Sequence, residues 1–184
     1  MQKKYEYKIA DRFNFLSRKI LIEIGWKKDN SNNCIDSDID VMVFMIRKDE
    51  IFPKKENIIF YNQLSHHSKS IKCSGETMVN RDGIEYELVE IDLSKIPPDI
   101  DRLIFGIKTY NHLELNDNDR LKCLEFSYLK VLSSKINKKK LFLESRDDFS
   151  TKNLINLSEL YRCKSGWKLK SVDEKYDIAI KSIF

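Results

Sequence analysis

Residues 34–46 read CIDSDIDVMVFMI: three aspartates at alternate positions, Asp36, Asp38 and Asp40, lead straight into an apolar, β-branched and aromatic run. On a strand, successive side chains point to opposite faces. Asp36, Asp38, Asp40, Met42, Phe44 and Ile46 therefore share one face, and Ile35, Ile39, Val41, Val43 and Met45 share the other. Beyond Asp40 both faces are apolar, as expected of a strand packed on both sides. The acids stand at one end of a face that becomes core. Carboxylates two residues apart sit about 6.6 Å from each other. At an effective dielectric of about 20, each ionised pair costs about 2–3 kcal/mol. Water, basic side chains or a cation must relieve that repulsion.

Outward from this stretch the chain keeps reading as strands. Segments 18–26 (RKILIEIGW), 56–64 (ENIIFYNQL), 84–93 (IEYELVEIDL) and 102–110 (RLIFGIKTY) alternate or are rich in β-branched residues. So do 139–146 (KKLFLESR), 155–163 (INLSELYRC) and 166–172 (GWKLKSV), the last two joined by CKSG as a hairpin turn. Residues 120–136 fit either a strand pair or a helix, and 172–184 reads as a C-terminal helix with Tyr176, Ile180 and Ile183 on one side. Strands this frequent predict a mainly β protein, a β-sandwich of two antiparallel or mixed sheets with a few short helices. The 184 residues fit one domain, 1–184, with residues 173–184 as its helical tail.

Composition narrows the class further. The chain has 33 Lys and Arg against 29 Asp and Glu, spread along its length for a net charge of +4. A nucleic-acid binder concentrates its basic charge, so no nucleic-acid partner is expected. No apolar run approaches the roughly 20 residues of a membrane span, and no apolar stretch follows the basic N-terminus as in a secretory signal. Cys34, Cys73, Cys123 and Cys163 stand apart with no C-x-x-C pair, which fits a reduced, cytoplasmic protein. The basic run 135–140 and the His66–His67 pair read as surface loop. Trp26, Phe60, Tyr61, Tyr161 and Trp167 read as core or sheet-packing aromatics. There is no G-x-S-x-G, no phosphate-cradling glycine loop and no H-E-x-x-H, so no enzyme is expected.

A second acidic strand end matches the first. Glu85 and Glu87 share a face with Val89, Ile91 and Leu93, and Glu76, Asp82 and Gly83 come just before them. Two such ends brought together would form a nest of oxygens suited to Ca²⁺, which takes six to eight in loose geometry. The spacing alone equally suits an acidic rim facing water.

The order of motifs resembles the TerD family of tellurium-resistance and chemical-stress proteins over about residues 20–172. The blocks are IGW, DSDIDVMVF, IIFYNQL, CSGETMVNRDGIEYELVEIDLSKIPPDIDRLIFGI, DDFSTKNLINLSELYR and GWKLKSV. The resemblance implies a non-enzymatic β-sandwich that binds calcium through acids. It places the family's Asp-Leu-Asp on Asp38-Ile39-Asp40 and its Phe-Tyr-Asn on Phe60-Tyr61-Asn62. Its Gly-Asp-Asn falls on Gly75-Glu76-Thr77, and its acidic loop on Asp82, Gly83, Glu85 and Glu87. Asp36 has no counterpart and is read as a neighbouring acid. The implied metal ligands are Asp38, Asp40, Glu76, Asp82, Glu85 and Glu87, with Asn62, Asp36 and Thr77 as weaker candidates. Most of the family's loop glycines are missing here, leaving Gly75 and Gly83, which weakens or removes a site built on backbone carbonyls. The implied partners are proteins of a stress-response complex, in one version at the inner face of a membrane. The competing readings are a metal-free interaction module, a small-molecule or nucleotide binder, and a metal-dependent phosphoesterase.

Overall fold

The structure is a computed structural model that describes residues 6–8, 19–28, 38–110, 124–132, 141–145, 154–164, 166–170, 172 and 174–181. Asp36, Cys34, Cys123 and the basic run 135–140 lie outside the described residues.

Twelve strands and one α-helix are described: β1 (Glu6–Lys8), β2 (Lys19–Lys28), β3 (Asp38–Arg47), β4 (Ile58–Ile59), β5 (Ile71–Cys73), β6 (Met78–Val79), β7 (Glu85–Asp92), β8 (Ile100–Tyr110), β9 (Leu124–Leu132), β10 (Leu141–Ser145), β11 (Leu154–Cys163), β12 (Gly166–Lys170) and α1 (Glu174–Lys181). They form two antiparallel sheets. The first runs β1-β12-β11-β8-β3-β4; the second runs β10-β9-β2-β7-β5, with β6 also paired to β7. The chain is thus the expected sandwich.

Alternation along each strand sorts the core. Ile22, Ile24 and Trp26 of β2 and Val89 and Ile91 of β7 point inward from the second sheet. Val41, Val43 and Met45 of β3 and Phe105 of β8 meet them from the first. The opposite face of the first sheet carries a smaller core of Met42, Phe44, Ile46, Ile104 and Leu154, covered by Tyr176 and Ile180 of α1. Arg102 holds the helix there with its guanidinium 4.7 Å from the Tyr176 ring centroid. Asn156 Nδ2 adds a bond of 3.0 Å to Asp177 Oδ1. β3 is therefore apolar on both faces because each face has its own cover.

Several expectations change. Of residues 120–136, open between helix and strand pair, the described part 124–132 is strand β9, which pairs with β2 from Leu21↔Leu132 onward. Of 56–64 only Ile58–Ile59 is strand. Phe60 and Gln63 exchange backbone bonds to close a turn, and Gln63 Nε2 donates to Glu56 O and Ile58 O, each at 3.0 Å. Tyr61 is exposed, because it sits in that turn and not on a strand. His66, expected at the surface, is 1% exposed, while His67 stays outside. The CKSG turn does join β11 to β12, with Cys163 opposite Gly166.

Candidate metal-binding site

The two acidic strand ends, on β3 and β7, face opposite sides of the first sheet. Asp38 and Asp40 share the face of Met42 and Phe44, so they lie on the outer, α1-covered side of the first sheet; Asp38 is exposed and Asp40 half-buried. Their cross-strand partners on β8 are Tyr110 and Lys108. Opposite charges placed directly across an antiparallel pair attract, so Lys108 is the basic neighbour that the aspartate repulsion calls for. Burial holds its ammonium below the usual lysine range.

Glu85 and Glu87 share the face of Val89 and Ile91 and so point between the sheets. Glu85 is already engaged. Its Oε2 accepts from the buried Trp26 indole Nε1 at 2.9 Å and lies 3.1 Å from Lys28 Nζ. Both partners come from β2, whose register sets Trp26 opposite Glu85. The pairing follows from the chemistry of a buried indole N–H, which needs an acceptor.

Glu87 is 4% exposed. Burial first, then the negative charge of Asp40, pushes its carboxyl up to about 7, while a hydrogen bond from the Val41 backbone N–H pulls the other way. Two-residue β4 pairs only with Val43 and Phe44, so among the described residues no strand lies alongside that edge of β3 past Met42, and Glu87 bonds the Val41 N–H from the other sheet. Burial and the Glu87 charge together also raise the Cys73 thiol well above the usual range.

The segment before β7 uses its own polar atoms. Asn80 Oδ1 accepts from Asp82 N–H at 2.8 Å and Ile84 N–H at 3.0 Å, and Asn80 N–H donates to Ile84 O. Residues 80–83 are thus a hairpin turn, closed by Gly83 at φ 72°. Gly75, at φ 70°, packs directly under Leu64, where a Cβ would collide. Glu76, Thr77, Asp82 and Asn62 are exposed.

Of the expected ligands, then, only Asp40 and Glu87 are linked, and by charge: Asp40 lies on the outer face of the first sheet and Glu87 between the sheets, close enough for the Asp40 charge to be felt. Asp38 shares the Asp40 face, Glu85 is held by Trp26 and Lys28, and Asp36 is outside the described residues. Among the described residues no three His, Cys, Asp or Glu side chains converge as a metal-holding group. The fit to Ca²⁺, with its six to eight oxygens, is partial: two carboxylates, one of them hydrogen-bonded and half-protonated near neutrality. Sequence reasoning missed the site roles of Lys28, Lys108 and Trp26, which enter through strand register, and of the Val41 amide, which enters across the gap between the sheets. A basic residue two positions beyond Trp26 on β2 was the one available signal.

The fold and site define a class: a two-sheet β-sandwich with an acidic end. Comparison with known proteins then names the family. The TerD domain matches residues 1–184, and the chain belongs to the TerD family. It is 25% identical over 158 residues to general stress protein 16U of Bacillus subtilis, covering 86% of this chain and 81% of that protein. It is 20% identical over 166 residues to the tellurium resistance protein TerD of Serratia marcescens, covering 90% and 85%. A solved homologue of telluride resistance protein TerD from Streptomyces coelicolor superposes with a TM-score of 0.60 at 14% identity, over 84% of this chain and 87% of that one, a likeness of fold. These relatives are named as stress and resistance proteins and not as enzymes.

Proposed function

We propose that this chain is a non-enzymatic, cytoplasmic stress-response protein that works by binding protein partners and a divalent cation, Ca²⁺, at the acidic end of the sandwich. The family match across residues 1–184 carries the stress-response part. The cation part is supported by one observation, the negative charge of Asp40 acting on the buried Glu87 carboxyl. In this reading Asp40 and Glu87 supply the side-chain oxygens with Asp38 next to them, and Glu76, Asp82 and Thr77 belong to the neighbouring surface. A metal takes deprotonated ligands. Binding here displaces the Glu87 proton, so affinity rises with pH between 6 and 8, a range set by the carboxyl at about 7.

The engagement of Glu85 with Trp26 and Lys28 favours a second reading, a TerD-type interaction module that needs no cation. Calorimetric titration with Ca²⁺ at pH 6 and pH 8 separates the two. The cation reading expects heat that grows with pH and vanishes in Asp38→Asn with Asp40→Asn; no heat at either pH, or the same heat in the double variant, leaves the module.

A further inference from the structure

At the end of β7 away from Glu85 and Glu87, strand register builds a row across the second sheet. Leu132 of β9 stands beside Leu21 of β2, Leu21 beside Glu90 of β7, and Glu90 beside Lys72 of β5. Ser65, on the crossover from β4 to β5, extends the row through its bridge to Lys72. The adjacent Ile20, Ile91 and Ile71 point into the core, so the row faces outward. Two positions along the same face, Lys19 stands opposite Asp92. Lys69 of the crossover and Lys95 of the turn after β7 complete the rim of a groove of about 810 Å³. That is the size of a small-molecule site.

The groove is aliphatic at one end and basic at the other. Leu132 and Leu21 are half-buried, whereas Lys72, Ser65 and Lys69 are exposed. Four lysines line it against two carboxylates. One of the two, Asp92, is engaged in its own turn: the Ser94 N–H donates to its Oδ1 at 3.1 Å, the Ser94 hydroxyl donates to the same oxygen, and Lys95 Nζ lies 3.5 Å from its Oδ2. The other, Glu90, faces Lys72 across the strand pair, where opposite charges attract. The charge balance of the rim is therefore positive. Among the described lining residues none is aromatic, so no ring is offered for a base to stack on. Lys69 is also strained. Its N–H donates to His66 O to close the turn, and its φ of 56° is a conformation that glycine adopts at no steric cost. The turn needs that backbone and not that side chain. A lysine kept there at the cost of strain points to a role for its charge.

We infer that this groove binds a small amphiphilic anion, an aliphatic chain with a phosphate or carboxylate head. The chain lies on Leu132 and Leu21, and the head meets Lys72, Lys69 and the Ser65 hydroxyl. From β9 to β5 the row crosses three strand spacings, about 14 Å, which gives the two ends of such a molecule separate surfaces. The lysines hold the head as point charges, so salt weakens the contact. Glu90 lies between the two ends and opposes the anion, offset by Lys72. The groove is at the other end of β7 from Glu87 and does not depend on the cation reading.

Calorimetric titration of the full chain with decyl phosphate, kept below its micelle concentration, tests this. Decanol, inorganic phosphate and ADP are the comparison ligands. Decyl phosphate should bind one per chain, at least about tenfold more tightly than any of the three. Lys69→Gly should weaken it about two- to fivefold, the worth of one exposed charge. The melting temperature of that variant should equal or exceed the parent's, because glycine relieves the strain. A lysine kept only for the fold would not give this pairing of weaker binding with undiminished stability. Glu90→Gln should tighten binding by a similar factor. No binding of decyl phosphate, equal binding of any comparison ligand, or unchanged affinity in Lys69→Gly overturns the proposal. Binding to vesicles of anionic phospholipid without binding of the monomer overturns it too, in favour of a membrane surface. Should Lys69→Gly fail to fold, Lys72→Gln replaces it with the same expected loss.

Discussion

The ends of β3 and β7 carry the same pattern, two acids at alternate positions before an apolar run, and the fold treats them in opposite ways. Asp38 and Asp40 emerge on the outer face of the first sheet, at the surface and across from Lys108. Glu85 and Glu87 turn inward, one tied to Trp26 and Lys28, the other sealed against Val41. Alternation states which residues share a face. It does not state which face is the inside, because both faces of β3 are apolar and each has its own cover. Among the described residues the acids consequently form no single cluster, and Asp40 and Glu87 are coupled only by charge.

Glu87→Gln should give the largest effect. The carboxyl is raised from its ordinary value near 4.5 to about 7 in the fold. Its contribution to stability is therefore full below pH 4.5 and is lost as pH rises through 7. Gln keeps an acceptor for Val41 and has no charge to bury. Urea unfolding at pH 8 should show the variant more stable than the parent by about 3 kcal/mol, at about 1.4 kcal/mol per pKa unit. The difference should shrink towards zero at pH 4. Equal stabilities at pH 8 would mean that Glu87 is as well solvated as Asp38. Glu85→Ala should come next and with the opposite sign. It leaves the buried Trp26 N–H without an acceptor, a loss of about 1–3 kcal/mol, with little change between pH 6 and 8. A neutral outcome would show that Glu85 belongs to the exposed class after all.

Much of the sandwich was legible because its long strands announce themselves. β2, β3, β7, β8, β11 and β12 all fall where apolar alternation places them, and the CKSG turn joins the last two. β5 and β6, with three residues and two, are too short for any period to register. Residues 120–136 carry an apolar set that serves a helix as well as a strand, and only the β2 edge decides for β9. The candidate site was legible as a set of acids and not as a geometry. Lys28 and Lys108 reach it through strand register, which no local pattern states. His66 was misread for a related reason. Its neighbours in sequence are polar, and what buries it is the 3₁₀ turn nine residues back together with the edge of β5.

The cation reading rests on the Asp40 charge reaching the buried Glu87 carboxyl. Carboxyl carbon NMR titration of Glu87 in the parent and in Asp40→Asn measures it directly. In the parent Glu87 should titrate at about 7, and in the variant it should move down, staying above the ordinary carboxylate range because burial remains. A Glu87 that titrates near its ordinary value, or one indifferent to Asp40→Asn, would contradict the placement of the acidic pair and the cation reading built on it.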